Sequence, residues 1–212
     1  MRRVERARRI VVLLGLGVCA CAPHRGAAVQ ESTAVPAQSV ESTPALPNAP
    51  HDLVAPLRVD HYKRGEAKDY GSAQGGVSYD YSDKETSLTV YFYARDTTLQ
   101  GLGATEALEA ETGRFKQVLE IERQRGRWDE YKVAFDDRDS VVAKGRVLPG
   151  RQLGFVIKKG QAMAVSLFYL YAVGNEWIKV RGTVPVSRWQ KTDIPVFAQK
   201  VSAMAVSPGG AP

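Results

Sequence analysis

The chain has 212 residues, with 29 Lys+Arg, 23 Asp+Glu, two cysteines and three histidines, a length that admits one domain of ordinary size once targeting and linker segments are set aside. Six basic residues (Arg2, Arg3, Arg6, Arg8, Arg9, Arg25) and three acids (Glu5, Glu31, Glu41) lie before residue 51, so the region from Asp52 onward keeps 23 basic and 20 acidic residues. So small an excess, on mixed signs, gives no electrostatic footprint for nucleic acid, and no nucleic-acid partner is expected. Cys19 and Cys21 both sit near the N-terminus, so the expected folded domain holds no disulfide, thiol nucleophile, zinc-thiolate site or CxxC centre.

Met1 to Arg9 carries five arginines, and an uncharged stretch of thirteen residues follows from Ile10 to Ala22, containing VVLLGLGV. A charged segment followed by a short apolar one is the form of an export signal. As a helix the apolar stretch makes roughly 20 Å, short of a hydrocarbon core of about 30 Å, so it is not expected to stay as a spanning segment. Val18-Cys19-Ala20-Cys21 resembles the lipobox of bacterial lipoproteins, with an aliphatic residue three before Cys21 and a small one just before it. The resemblance implies lipidation of Cys21 and a membrane partner through the lipid anchor. Ala22 in the next position resembles the pattern of lipoproteins passed to an outer membrane, facing the periplasm. Ordinary cleavage after Ala22 is the alternative, disfavoured by Pro23.

Residues 1–22 are thus read as signal peptide and lipidation site. Residues 23–50, rich in Ala, Pro, Ser, Thr, Val and Gln without apolar period, are read as a flexible, disordered linker. Residues 51–206 are read as the folded domain and 207–212 as a disordered tail.

Within the domain, Val77, Tyr79 and Tyr81 alternate with polar residues. After a turn at Asp83-Lys84 a second alternating run extends from Ser87 to Arg95, with Leu88, Val90, Phe92 and Ala94 on one face and Thr89, Tyr91, Tyr93 and Arg95 on the other. The period then changes, and the spacing of Leu108, Thr112, Phe115, Val118, Leu119 and Glu122 predicts a helix over 105–125, with Thr105 as N-cap and Gly126 after its end. Strand signals resume at 131–135, weaken around Val141 and return at 153–157. The clearest hairpin runs from 162–171 to 177–184 through Gly174-Asn175. A last helix is predicted over 193–205 with Ile194, Phe197, Val201 and Met204 on one face. The order reads as α+β, an antiparallel sheet packed by two helices.

This layout from residue 52 to 205, with the strand Trp177-Ile178-Lys179-Val180-Arg181 leading into Thr183-Val184-Pro185, resembles the Mog1/PsbP-like fold, including DcrB-like lipoproteins. Members of that fold are mostly binding or assembly modules, which implies a non-catalytic role by analogy.

No chemistry-bearing motif stands out. His51 and His61 precede the first clear strand and read as solvated or turn histidines. Gly101-Leu102-Gly103 lacks the companions of a phosphate loop. Asp136, Asp137 and Asp139 read as a solvated turn rather than a calcium loop, because Arg138 lies among them and the EF-hand glycine and glutamate are missing. No catalytic residue, metal ligand or cofactor is therefore assigned. The candidate binding residues are Tyr169, Tyr171, Lys179 and Arg181. An odd turn at Gly174 puts all four on one face, able to take an anionic or extended ligand, whereas an even turn puts Tyr169 and Tyr171 in the core with Ile178 and Val180. The expected function is a non-catalytic envelope lipoprotein that binds or supports an envelope protein or cell-wall partner. The alternative is a periplasmic hydrolase of cell-wall or small-molecule substrates, which requires a pocket with convergent carboxylates.

Overall fold

A computed structural model describes residues 46, 48–50 and 53–206. The signal segment, Cys19, Cys21, most of the linker, His51 and the tail 207–212 lie outside the described residues. The strands are β1 (Arg58–Val59), β2 (Tyr62–Asp69), β3 (Val77–Ser82), β4 (Ser87–Ala94), β5 (Glu130–Ala143), β6 (Arg146–Lys159), β7 (Ala162–Val173) and β8 (Glu176–Pro185). Helix α1 (Ala104–Gln124) joins β4 to β5, and α2 (Ile194–Ala205) follows β8. The expected α+β architecture is the one observed. All eight strands form one antiparallel sheet in the order β1-β2-β3-β4-β8-β7-β6-β5, in which α1 carries the chain to the far edge and β8 returns to close against β4.

Turn chemistry sets the registers. Lys144 and Gly145, with φ of 51° and 76°, make the two-residue turn of the β5–β6 hairpin, as a type I′ turn requires. Gly174, with φ of 53°, takes the first place of the two-residue β7–β8 turn, and Val173 pairs with Glu176. The turn is therefore even, Tyr169 stands opposite Val180 and Tyr171 opposite Ile178. Lys179 and Arg181 stand opposite Leu170 and Phe168 and point to the other face. The four candidate residues do not share a face.

Two strand expectations are corrected. Asp136, Asp137 and Asp139 lie within β5, a continuous strand of 14 residues, and not in a turn. Aspartate is depleted from strands, but Asp136 binds Lys116 Nζ at 2.6 Å and Arg151 at 2.5 Å, and Asp139 accepts the Tyr171 hydroxyl at 2.6 Å, so neighbouring elements supply the compensation. The polar strand β2, which carries no apolar alternation, lies before the first strand expected.

Helix α1 begins one residue earlier than expected, and its N-cap is not Thr105 but Gly103, whose N–H donates to Glu106 Oε2 at 3.3 Å. It ends as a Schellman motif, with Gly126 N–H donating to the Arg123 carbonyl and Arg127 N–H to that of Glu122. Its buried stripe is Ala107, Leu108, Glu111, Thr112 and Leu119. Val118 is 55% exposed and Phe115 half-buried, because in its second half the contact narrows to Leu119. In α2 the stripe is Ile194, Phe197, Ala198, Val201, Ser202 and Ala205, which leaves Met204 at its margin and 52% exposed.

The helices cover opposite faces. Leu108 and Leu119 of α1 pack on Trp177, Leu170, Phe168 and Leu153. The larger core lies under α2, around Tyr62, Tyr81, Phe92, Tyr169, Tyr171, Ile178 and Phe197. Helix α2 touches both β1 and β5, the opposite edges of the sheet. Eight flat strands span roughly 34 Å and a helix of 12 residues about 18 Å, so the sheet coils round α2.

Candidate functional site

The pairing of β4 with β8 sets Tyr93 opposite Trp177, Tyr91 opposite Lys179 and Thr89 opposite Arg181. All six side chains point to the α1 face, but α1 lies over β6, β7 and the Tyr93–Trp177 end of β4 and β8, and Thr89 and Arg181 lie beyond it. The result is a shelf beside the helix. Asp80, Arg181 and Thr183 are exposed on it and Tyr91 is half-buried. Tyr70, from the connection after β2, lies against it with its ring 6.4 Å from that of Tyr91 and its hydroxyl 3.3 Å from Ser78 Oγ.

Two cations of different character occupy the shelf. The Lys179 ammonium sits 4.3 Å from the ring centre of Tyr91, 4.9 Å from Phe115 and 5.1 Å from Tyr93, a favourable arrangement for a cation stripped of water. Burial pushes its pKa down to about 8, with Glu111 opposing the shift and Arg181 adding to it. Glu111, itself buried on α1, accepts the Tyr93 hydroxyl at 3.0 Å and lies 3.4 Å from Arg114. Burial, then the Glu111 charge, hold the Tyr93 hydroxyl protonated far above its ordinary range. Arg181, by contrast, projects from the sheet with its guanidinium 5.5 Å from the Phe168 ring and forms no ion pair with a described acid. It is the group able to meet an anion, with aromatic surface on either side.

Thus Lys179 and Arg181 stay together while Tyr169 and Tyr171 leave them, and Tyr91 and Tyr70 take their place. The alternation of Thr89, Tyr91 and Tyr93 along β4 was the available signal for Tyr91. Nothing local marked β4 as the partner of β8. Tyr169 and Tyr171 are buried in the α2 core, and burial raises the pKa of both hydroxyls, with Asp139 adding to each.

His61 occupies the β1–β2 turn, half-exposed, with Nε2 3.3 Å from Asp83 Oδ2 and 3.3 Å from Asp193 Oδ2, while Asp193 Oδ1 accepts the Tyr62 hydroxyl at 2.7 Å. A general base keeps one nitrogen for the acid and one for the nucleophile. Here one nitrogen faces both carboxylates, so the imidazole bridges the β1–β2 turn, the β3–β4 turn and the start of α2. The Gly103 amide, spent on Glu106, is not offered to a phosphate.

No family model matches the chain, and no curated protein matches it. Among solved structures it is similar to cyanobacterial PsbP (CyanoP) from Synechocystis sp. PCC 6803, over 68% of this chain and 81% of that one, at 14% identity and a TM-score of 0.43. At that level the likeness is one of element layout, and nothing of that protein's role is carried over.

Proposed function

We propose that this chain is a non-catalytic cell-envelope lipoprotein whose domain, tethered through the segment from residue 23 up to Leu46, where packing on the core begins, binds an anionic partner in the envelope on the shelf beside α1. The observation that carries the binding reading is Arg181, exposed in register with Thr89 and next to Tyr91 and Lys179 on the uncovered half of the sheet. A planar guanidinium with five donors suits carboxylate or phosphate, and flanking rings add contact area of low conformational cost. The lipobox resemblance at Val18 to Cys21 supports the anchoring half of the reading.

Arg181→Glu tests it. Crosslinking in intact cells should capture fewer neighbours with the variant, while its thermal midpoint stays close to that of the wild type, because an exposed charge contributes about 0 to 1 kcal/mol. Unchanged capture by a stable variant would remove Arg181 from the interface.

A further inference from the structure

On the opposite face of the sheet, a recess of about 310 Å3 opens where the chain between β8 and α2 passes over β5, β6 and β7. The strand register builds it. Asp137, Gln152 and Tyr169 stand opposite one another across three adjacent strands and all line the recess. On the next rung Phe135 faces Gly154, where a Cβ would come within 2.2 Å of the phenyl ring, so the missing side chain is what lets Phe135 lie across the strand. Its ring stacks on Trp189 at 6.3 Å and 22°, and the two form an aromatic wall, with Thr192 beside them.

Thr192 Oγ1 accepts the Ile194 N–H at 3.3 Å, but three other polar side chains of the recess are unengaged. The Asp137 carboxylate, the Gln152 amide and the Tyr169 hydroxyl make no side-chain hydrogen bond or ion pair with another described residue. Tyr169 is only 2% exposed and lines the recess, so its hydroxyl draws its partner from water or a ligand there. No lysine or arginine lines the space.

These features select a ligand class. A carboxylate with no cation beside it disfavours an anion, and a purely apolar ring would leave three polar groups unpaired. The volume stands at the lower end of the range for small-molecule sites, enough for one ring and not for a chain. A pyranose has what remains, one face of C–H groups for an aromatic wall and hydroxyls that both donate and accept. We propose that the recess is a binding site for a single neutral pyranose, its C–H face on Trp189 and Phe135, its hydroxyls shared among Asp137, Gln152 and Tyr169. This site lies on the face opposite Arg181 and does not depend on the shelf.

Ligand-observed NMR on the purified full-length chain in detergent tests it, with methyl glucopyranoside and N-acetylglucosamine as neutral probes and galacturonate as the acidic one. Saturable binding of at least one neutral sugar is expected, with galacturonate weaker. Asp137→Asn at this exposed position should weaken it about tenfold, the loss of one charge-assisted hydrogen bond. Trp189→Ala should abolish it, and Arg181→Glu should leave it unchanged. If Trp189→Ala fails to fold, Gln152→Ala replaces it, with about tenfold weakening expected. Absence of saturable binding by both neutral sugars, a preference for galacturonate, or binding that survives the recess substitutions would overturn the proposal.

Discussion

An ammonium pressed between three rings holds its proton less tightly than one in water, and the consequence at Lys179 is measurable. Its folded pKa is about 8 against an ordinary 10.5. Between those values the unfolded chain carries a proton that the folded chain has released, so stability rises with pH, at up to about 1.4 kcal/mol per unit. The buried tyrosines act in the opposite sense. Tyr62, Tyr81, Tyr169 and Tyr171 have raised pKa values, so the stability they lend is lost as pH climbs above their ordinary 10.0. Denaturant melts should therefore show stability rising from pH 8 towards 10 and then falling, and in Lys179→Met the rise should vanish while the fall remains. A wild-type curve flat over that window would mean that the lysine is hydrated. That Lys179 and Arg181 share a side was legible in the sequence, because strand side chains repeat every two residues. That Tyr169 and Tyr171 lie on the other side was not, because both turn lengths at Gly174 satisfied the local pattern and the cross-strand register depends on which one forms.

At the scale of elements, the two helices were legible from their periods, and their edges were not. Thr105 has the better capping side chain, yet the helix starts at Ala104 because Glu106 reaches the Gly103 amide. Phe115 and Met204 fit the apolar spacing but lie at the margins of the stripes, where only tertiary contact decides burial. The stability effects should follow burial rather than hydrophobicity. Phe197 is 1% exposed, with its ring 4.8 Å from Tyr62 and 5.3 Å from Tyr81, so Phe197→Ala should cost about 3 to 5 kcal/mol. Phe115 is half-buried at the margin of the cluster under α1, with its ring near Phe168 and the Lys179 ammonium, so Phe115→Ala should cost about 1 to 2 kcal/mol. Urea unfolding of both variants compares them directly, and equal losses would contradict this account of α1. The continuity of β5 was hidden for a related reason, since the cations that neutralise Asp136 come from α1 and β6.

At the scale of the molecule, the sheet closes through β4 and β8, two strands separated in sequence by a helix and three other strands, and no local pattern announces such a pairing. The antiparallel α+β class was readable and the coiling round α2 was not. The division into address, tether and domain rests instead on composition, and it yields a test independent of the fold. If Cys21 carries the lipid, several acyl chains at about 0.8 kcal/mol per buried CH₂ hold the chain to the bilayer. Cys21→Ala should then move the protein to the soluble fraction and abolish fatty-acid labelling. Cys19→Ala keeps Val18 and Ala20 in place and should remain bound and labelled. Both cysteines precede the described domain, whose residues 53–206 contain none, so both variants should melt at the wild-type temperature with or without reductant. Label retained by Cys21→Ala would transfer the anchor to another residue, and a soluble, unlabelled wild type would show that the chain is not lipidated.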